Sequence, residues 1–82
     1  MEFAVIEKKI QEIVIDYFEL DNIEINPDDN IVQTLELNSL TRMELVVLIA
    51  KYFDVKIPLK DFTSIITFGD LYKYISASRN QE

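Results

Sequence analysis

An all-α fold is the architecture this sequence predicts, and three observations carry it. Apolar residues recur at intervals of three and four through residues 3–17, 45–53 and 68–75, the spacing of one face of a helix. One Gly and two Pro in 82 residues leave little material for the tight turns of a strand-rich fold. Hydrophobic residues make up 49% of the chain, enough for a globular core rather than a disordered acidic tail. At this length residues 1–82 read as a single small domain, burying roughly 60–65% of the surface that its unfolded form exposes.

The first helix is carried by Phe3, Ile6, Ile10, Ile13, Val14 and Tyr17 on one stripe, with Glu7, Lys8, Glu12 and Asp16 between them, and ends near Phe18 to Leu20. Val5 and Ile15 fall off the stripe and read as exposed apolar residues or packing for the next loop. Residues 21–37 hold Asn22, Asn26, Pro27, Asp28, Asp29 and Asn30, turn formers that break the helical period. The segment reads as a long loop tied down by Ile23, Ile25, Ile31, Leu35 and Leu37. Asp28 and Asp29 lack the glycine and terminal Glu of a calcium-binding EF-hand loop.

A second helix spans about 39–53, with Leu45, Val46, Ile49 and Phe53 on a core stripe. After it, Asp54-Val55-Lys56-Ile57 runs extended into Pro58, which suits the first position of a short helix carrying Leu59 and Phe62. Thr67 with Asp70 three residues later forms a capping-box pattern that opens a last helix with Phe68, Leu71, Tyr72 and Ile75 on one face. Residues 76–82 read as frayed. No internal repeat, low-complexity tract or linker interrupts the chain.

Composition removes several function classes. There is no Cys and no His, hence no disulfide, no thiolate metal site, no cysteine nucleophile and no imidazole to activate a serine. A domain this small also rarely encloses both a core and a catalytic cleft, so an autonomous serine enzyme is the weakest reading. Net charge is −7, unfavourable for nucleic acid or an anionic membrane surface. Residues 1–36 hold ten acids against two bases, and residues 37–82 five acids against six bases. The acidic half reads as a solvated face or as steering towards basic partners. The N-terminus lacks the pattern of a secretory signal, and the longest apolar run, 45–50, is far shorter than the about 20 residues of a membrane span. A cytoplasmic protein without membrane insertion is the expectation, and nothing requires more than a monomer.

The candidate site is the head of the second helix. Asn38 is a good N-cap residue, and Ser39 after it falls in the first turn, pointing outward. Free N–H groups and the positive end of the helix dipole favour a phosphate there, bound or attached to the serine. Leu40, Met43 and Val47 make a second apolar stripe beside Ser39, bordered by Arg42, Glu44 and Lys51. That stripe either widens the core arc or meets a partner.

Laid out this way, the chain resembles the acyl carrier protein family, the phosphopantetheine-bearing carriers of fatty acid, polyketide and nonribosomal peptide synthesis. The resemblance rests on Leu37-Asn38-Ser39-Leu40 with Met43-Glu44-Leu45-Val46, on Phe53-Asp54-Val55-Lys56-Ile57-Pro58, and on Ile65-Ile66-Thr67-Phe68-Gly69-Asp70-Leu71 with Tyr74-Ile75. It implies a small bundle of about four helices of acyl-carrier type, with a long loop between helices one and two and a short third helix. It also implies that Ser39 is the attachment site of a 4′-phosphopantetheine arm, added from coenzyme A by a separate magnesium-dependent phosphopantetheinyl transferase. The arm's thiol holds acyl or aminoacyl groups as thioesters for acyl-loading, condensing or other acyl-processing enzymes, so the carrier itself is no enzyme and needs no Cys of its own.

Three departures from the family pattern stand out. Asn38 replaces the Asp most often found before the serine, keeping the capping oxygen without its charge. Glu36 stands where many members have Gly. Ile49-Ala50-Lys51-Tyr52 is neutral or basic where fatty acid carriers are often acidic, which points to a specialised pathway. Asn38 and Glu36 also motivate a second reading, an unmodified interaction module that keeps the carrier fold without the prosthetic group.

Overall fold

Ile6, Ile10 and Val14 lie four residues apart, and all three are fully buried, which is why α1 (Phe3–Tyr17) forms and which way it faces. The computed structural model describes residues 3–20 and 24–79. Four further helices follow: α2 (Ile31–Leu35), α3 (Ser39–Phe53), α4 (Leu59–Phe62) and α5 (Phe68–Arg79). The all-α expectation holds, with a lone bridge between Asn30 and Thr67 as the one strand-like pairing among the described residues. No helix among them is long and apolar enough to cross a membrane.

The core lies where α1, α3 and α5 converge, with α1 packed mainly on α5. α3 contributes Leu45, Ile49 and Phe53, again spaced by four, and α5 contributes Phe68, Leu71, Tyr72 and Ile75. Each such aliphatic side chain adds about 1.5–3 kcal/mol by leaving water. Val46 and Ile13 are half-buried against this core. Val5 is exposed, and Ile15 is half-buried while its carbonyl accepts the Leu20 N–H at 2.9 Å, in line with a role at the start of the loop. Phe3 and Tyr17 share the stripe in sequence but lie at the helix ends, where α5 and α3 cover them only in part, and remain more than 40% exposed. The Phe3 ring still meets Tyr72 edge-on at 5.7 Å.

The long connection is more ordered than its turn formers suggest. It contains α2, which Asn30 caps by accepting the Gln33 N–H at 2.9 Å, so the described residues form five helices rather than four. Five residues carry too little of a helical period to be seen in sequence, and Ile31 and Leu35 read instead as loop anchors; both are buried, as is Ile25. Leu37 is half-buried, and Ile23 lies outside the described residues. The segment is laced to the start of α5: Ile31 N–H to Ile66 O at 3.0 Å, Phe68 N–H to Asp29 O at 3.2 Å, and Gly69 N–H to Pro27 O at 2.8 Å. Gly69 suits this close approach, since a Cβ there would meet the Pro27 carbonyl oxygen at a tight 3.1 Å.

Pro58 is the N-cap of α4 rather than its first helical residue, with φ −58° and ψ 142° continuing the extended entry. Phe62 is buried and Leu59 exposed, so this short helix shows the core one residue per turn. Tyr74 on α5 holds α4 in place by donating its hydroxyl to Asp61 Oδ2 at 2.9 Å. The Thr67–Asp70 capping box is present: Asp70 N–H donates to Thr67 Oγ1 at 3.1 Å and Thr67 N–H to Asp70 Oδ2 at 3.2 Å. α5 continues to Arg79, so residues 76–79 are helical rather than frayed, with Ile75 buried and Ser76 and Ser78 half-buried; residues 80–82 lie outside the described residues.

Candidate functional site

The head of α3 is set by the turn that ends α2. Glu36 adopts the left-handed conformation, φ 51° and ψ 49°, and the Leu37 N–H returns to Val32 O at 3.0 Å. Buried Leu35 and half-buried Leu37 fix this turn to the core, so the next residues emerge at the surface in a set direction. A left-handed residue explains why Gly suits position 36, and Glu36 meets the requirement at a conformational cost.

Asn38 is extended and caps α3: its Oδ1 accepts the Thr41 N–H at 2.9 Å, while the Asn38 N–H donates to Thr41 Oγ1 at 2.8 Å. The sequence reading located the cap but missed Thr41 as the reciprocal partner, because Glu or Gln is the usual signal there. With those bonds made, the N–H groups of Ser39 and Leu40 have no acceptor among the described residues. They stand at the positive end of a 15-residue helix. Ser39 is exposed as the first helical residue.

Two shallow clefts lie at this part of α3, one lined by Ser39 and the other by its neighbour Leu40. One, of about 170 Å³, lies between α3 and α4 and is lined by Ser39, Arg42, Met43, Leu59 and Thr63. Arg42 is half-buried there, with its guanidinium carbon 5.8 Å from the centre of the Phe62 ring and its Nε buried without a hydrogen bond. The other, of about 410 Å³, runs along α3 past Leu40, Met43, Val47 and Lys51 to Tyr17 on α1. Leu40, Met43 and Val47 are 69, 54 and 61% exposed, so the second stripe does not widen the core; it forms an open apolar face. Glu44 borders it and accepts the Tyr17 hydroxyl at 2.8 Å, a bond that raises the Tyr17 pKa because losing the phenolic proton would break it beside a carboxylate. All eight residues singled out in sequence, Asn38 to Lys51, therefore lie on or beside the outer face of α3. Tyr17, Leu59 and Thr63 were not foreseen, since only the tertiary packing brings other helices to this edge.

The fold and site define a class: a small helical module that presents one exposed serine at the head of a helix, between an apolar face and a cationic cleft. Comparison with known proteins agrees. The family model described as "Phosphopantetheine attachment site" matches residues 8–75. An acyl carrier protein from Syntrophobacter fumaroxidans (strain DSM 10017 / MPOB) is 34% identical over 79 residues, covering 96% of this chain and 98% of that protein. The chain belongs to the acyl carrier protein family, and its function is that of a carrier with a covalently attached 4′-phosphopantetheine. The site fits such a group: an exposed hydroxyl to bear it, two backbone N–H groups beside that hydroxyl without an acceptor among the described residues, and the Arg42 side chain lining the same cleft.

Proposed function

We propose that Ser39 bears the 4′-phosphopantetheine, joined through its Oγ by a separate phosphopantetheinyl transferase, and that the chain works as one carrier domain across residues 1–82. The observation that carries this is the exposure of Ser39 at the capped head of α3 with the Ser39 and Leu40 N–H groups free. When attached, the arm supplies a thiol on which an acyl or aminoacyl group is held as a thioester. The protein's own residues present that arm. Asn38 and Thr41 fix the start of the helix, and the Leu40, Met43 and Val47 face, edged by Arg42, Glu44 and Lys51, is the docking surface for acyl-loading, condensing and other acyl-processing enzymes.

Fatty acid and polyketide biosynthesis are the pathways this reading covers. The basic end of α3 at Lys51 supports a specialised one over housekeeping fatty acid synthesis. A monomer in the cytoplasm, with protein partners and no nucleic acid, accords with the net charge of −7. Incubation with coenzyme A, magnesium and a broad-specificity transferase tests the assignment by intact mass. One arm is expected on the wild type and none on Ser39→Ala. An unmodified wild type, together with an unmodified chain from its native host, would replace the carrier reading with the unmodified interaction module.

A further inference from the structure

Arg42 stands three residues beyond Ser39 on α3, and positions three apart share one side of a helix. Its guanidinium lies over the Phe62 ring of α4, a buried side chain that gives the cation a fixed platform. Its Nε is out of contact with water and donates to nothing, and Arg42 forms no ion pair among the described residues. A buried donor left in that state is costly until an acceptor arrives. The carboxylates of Glu44 on α3 and Asp61 on α4 are engaged elsewhere, by the hydroxyls of Tyr17 at 2.8 Å and Tyr74 at 2.9 Å. Arg42 is thus a held cation without an anion, in the same cleft as Ser39.

We propose that Arg42 is the counter-ion of the arm's phosphodiester. Guanidinium presents planar, directed donors suited to phosphate oxygens, and a phosphodiester carries one negative charge at neutral pH. The N–H groups of Ser39 and Leu40 face the same group from the helix end. Asn38 acts in the same direction, since a carboxylate at that position would repel the diester while the amide does not. Together these residues hold the root of the arm against the α3–α4 edge. The inference rests on Ser39 as the attachment point.

The test uses ¹⁵N-labelled full-length protein loaded from coenzyme A, with loading followed by intact mass. The Arg42 Nε–H resonance, assigned by its loss in Arg42→Lys, is expected to shift on loading. The ³¹P resonance of the diester is expected to differ between wild type and Arg42→Gln, with a smaller difference for Arg42→Lys, which keeps the charge. Both effects shrink in 1 M salt, where the screening length falls to about 3 Å. In urea unfolding, loading favours the folded state about two- to fivefold more in wild type than in Arg42→Gln. A loaded wild type whose Arg42 Nε–H stays in place and whose ³¹P resonance equals that of Arg42→Gln overturns the counter-ion and leaves Ser39 standing. A wild type that takes no arm, or a Ser39→Ala chain that still takes one, overturns both. The wild-type measurement decides the matter even where a variant fails to fold.

Discussion

Asn38→Ala is the substitution that bears most directly on how the site is built. It deletes the oxygen that accepts the Thr41 N–H at 2.9 Å and leaves that donor to water at an exposed helix end. The reciprocal bond, Asn38 N–H to Thr41 Oγ1 at 2.8 Å, survives in geometry but loses the side chain that held the pair together. The expected loss is about 1 kcal/mol. For a chain of 82 residues, whose stability is on the order of 4–12 kcal/mol, that is a sizeable fraction and lowers the melting temperature by about 4–8 °C. Asn38→Asp keeps the acceptor and adds an anion at the positive end of α3, so the unloaded chain should gain up to about 0.5 kcal/mol. Thr41→Val removes the other half of the box, and the Asn38→Ala/Thr41→Val double variant should fall short of additivity by about 0.5 kcal/mol. Urea unfolding followed by circular dichroism measures all four, with a shifted midpoint and an unchanged slope. An unshifted midpoint for Asn38→Ala, or strict additivity of the pair, would refute the reciprocal cap.

Two other outcomes follow from local geometry. Glu36→Gly should stabilise the chain by about 0.5–1 kcal/mol, because relief of a left-handed side chain outweighs the added freedom of the unfolded state, whereas Glu36→Ala should not; a lower melting temperature for the glycine variant would contradict this. Asp70 has its pKa lowered by the Thr67 and Ile66 backbone N–H groups that it accepts, so the unfolded chain binds its proton first. Its contribution is fully present above the ordinary aspartate pKa of about 3.9 and is lost as pH falls through the depressed folded value. Asp70→Asn should therefore flatten the decline of the urea midpoint below about pH 4, where aspartate titrates, and an unaltered acid profile would show that the bond does not form in solution.

Local chemistry was legible where one signal governs one element. The four-residue spacing of Ile6, Ile10 and Val14, of Leu45 and Ile49, and the Thr67–Asp70 pair, each act within a turn or two of helix, and each appears as read. The same holds for Asn38 as a cap and Ser39 as an exposed hydroxyl, since capping is settled by residues three apart. α2 escaped detection because five residues hold barely more than one turn, and its stability comes from burying Ile31 and Leu35 rather than from helical propensity. The ends of α1 and α5 were misjudged for a related reason: periodicity names a face, not how far a neighbouring helix extends along it, so Phe3 and Tyr17 lie exposed and α5 runs on to Arg79.

By itself the sequence determined the helical class, the capped serine, the absence of His or Cys chemistry, and the two stripes of α3. Only the tertiary structure decided which stripe is covered. α1 packs on α3, and Leu45, Ile49 and Phe53 are buried in the common core while Leu40, Met43 and Val47 face outward, a choice that depends on the packing of helices distant in sequence. The same packing sets Phe62 beneath Arg42 and Tyr17 beside Glu44, contacts across 20 and 27 residues that no local pattern encodes. They arise because burying Phe62 and the α1 stripe fixes where those helices end, and the edges of the site are what those ends bring with them.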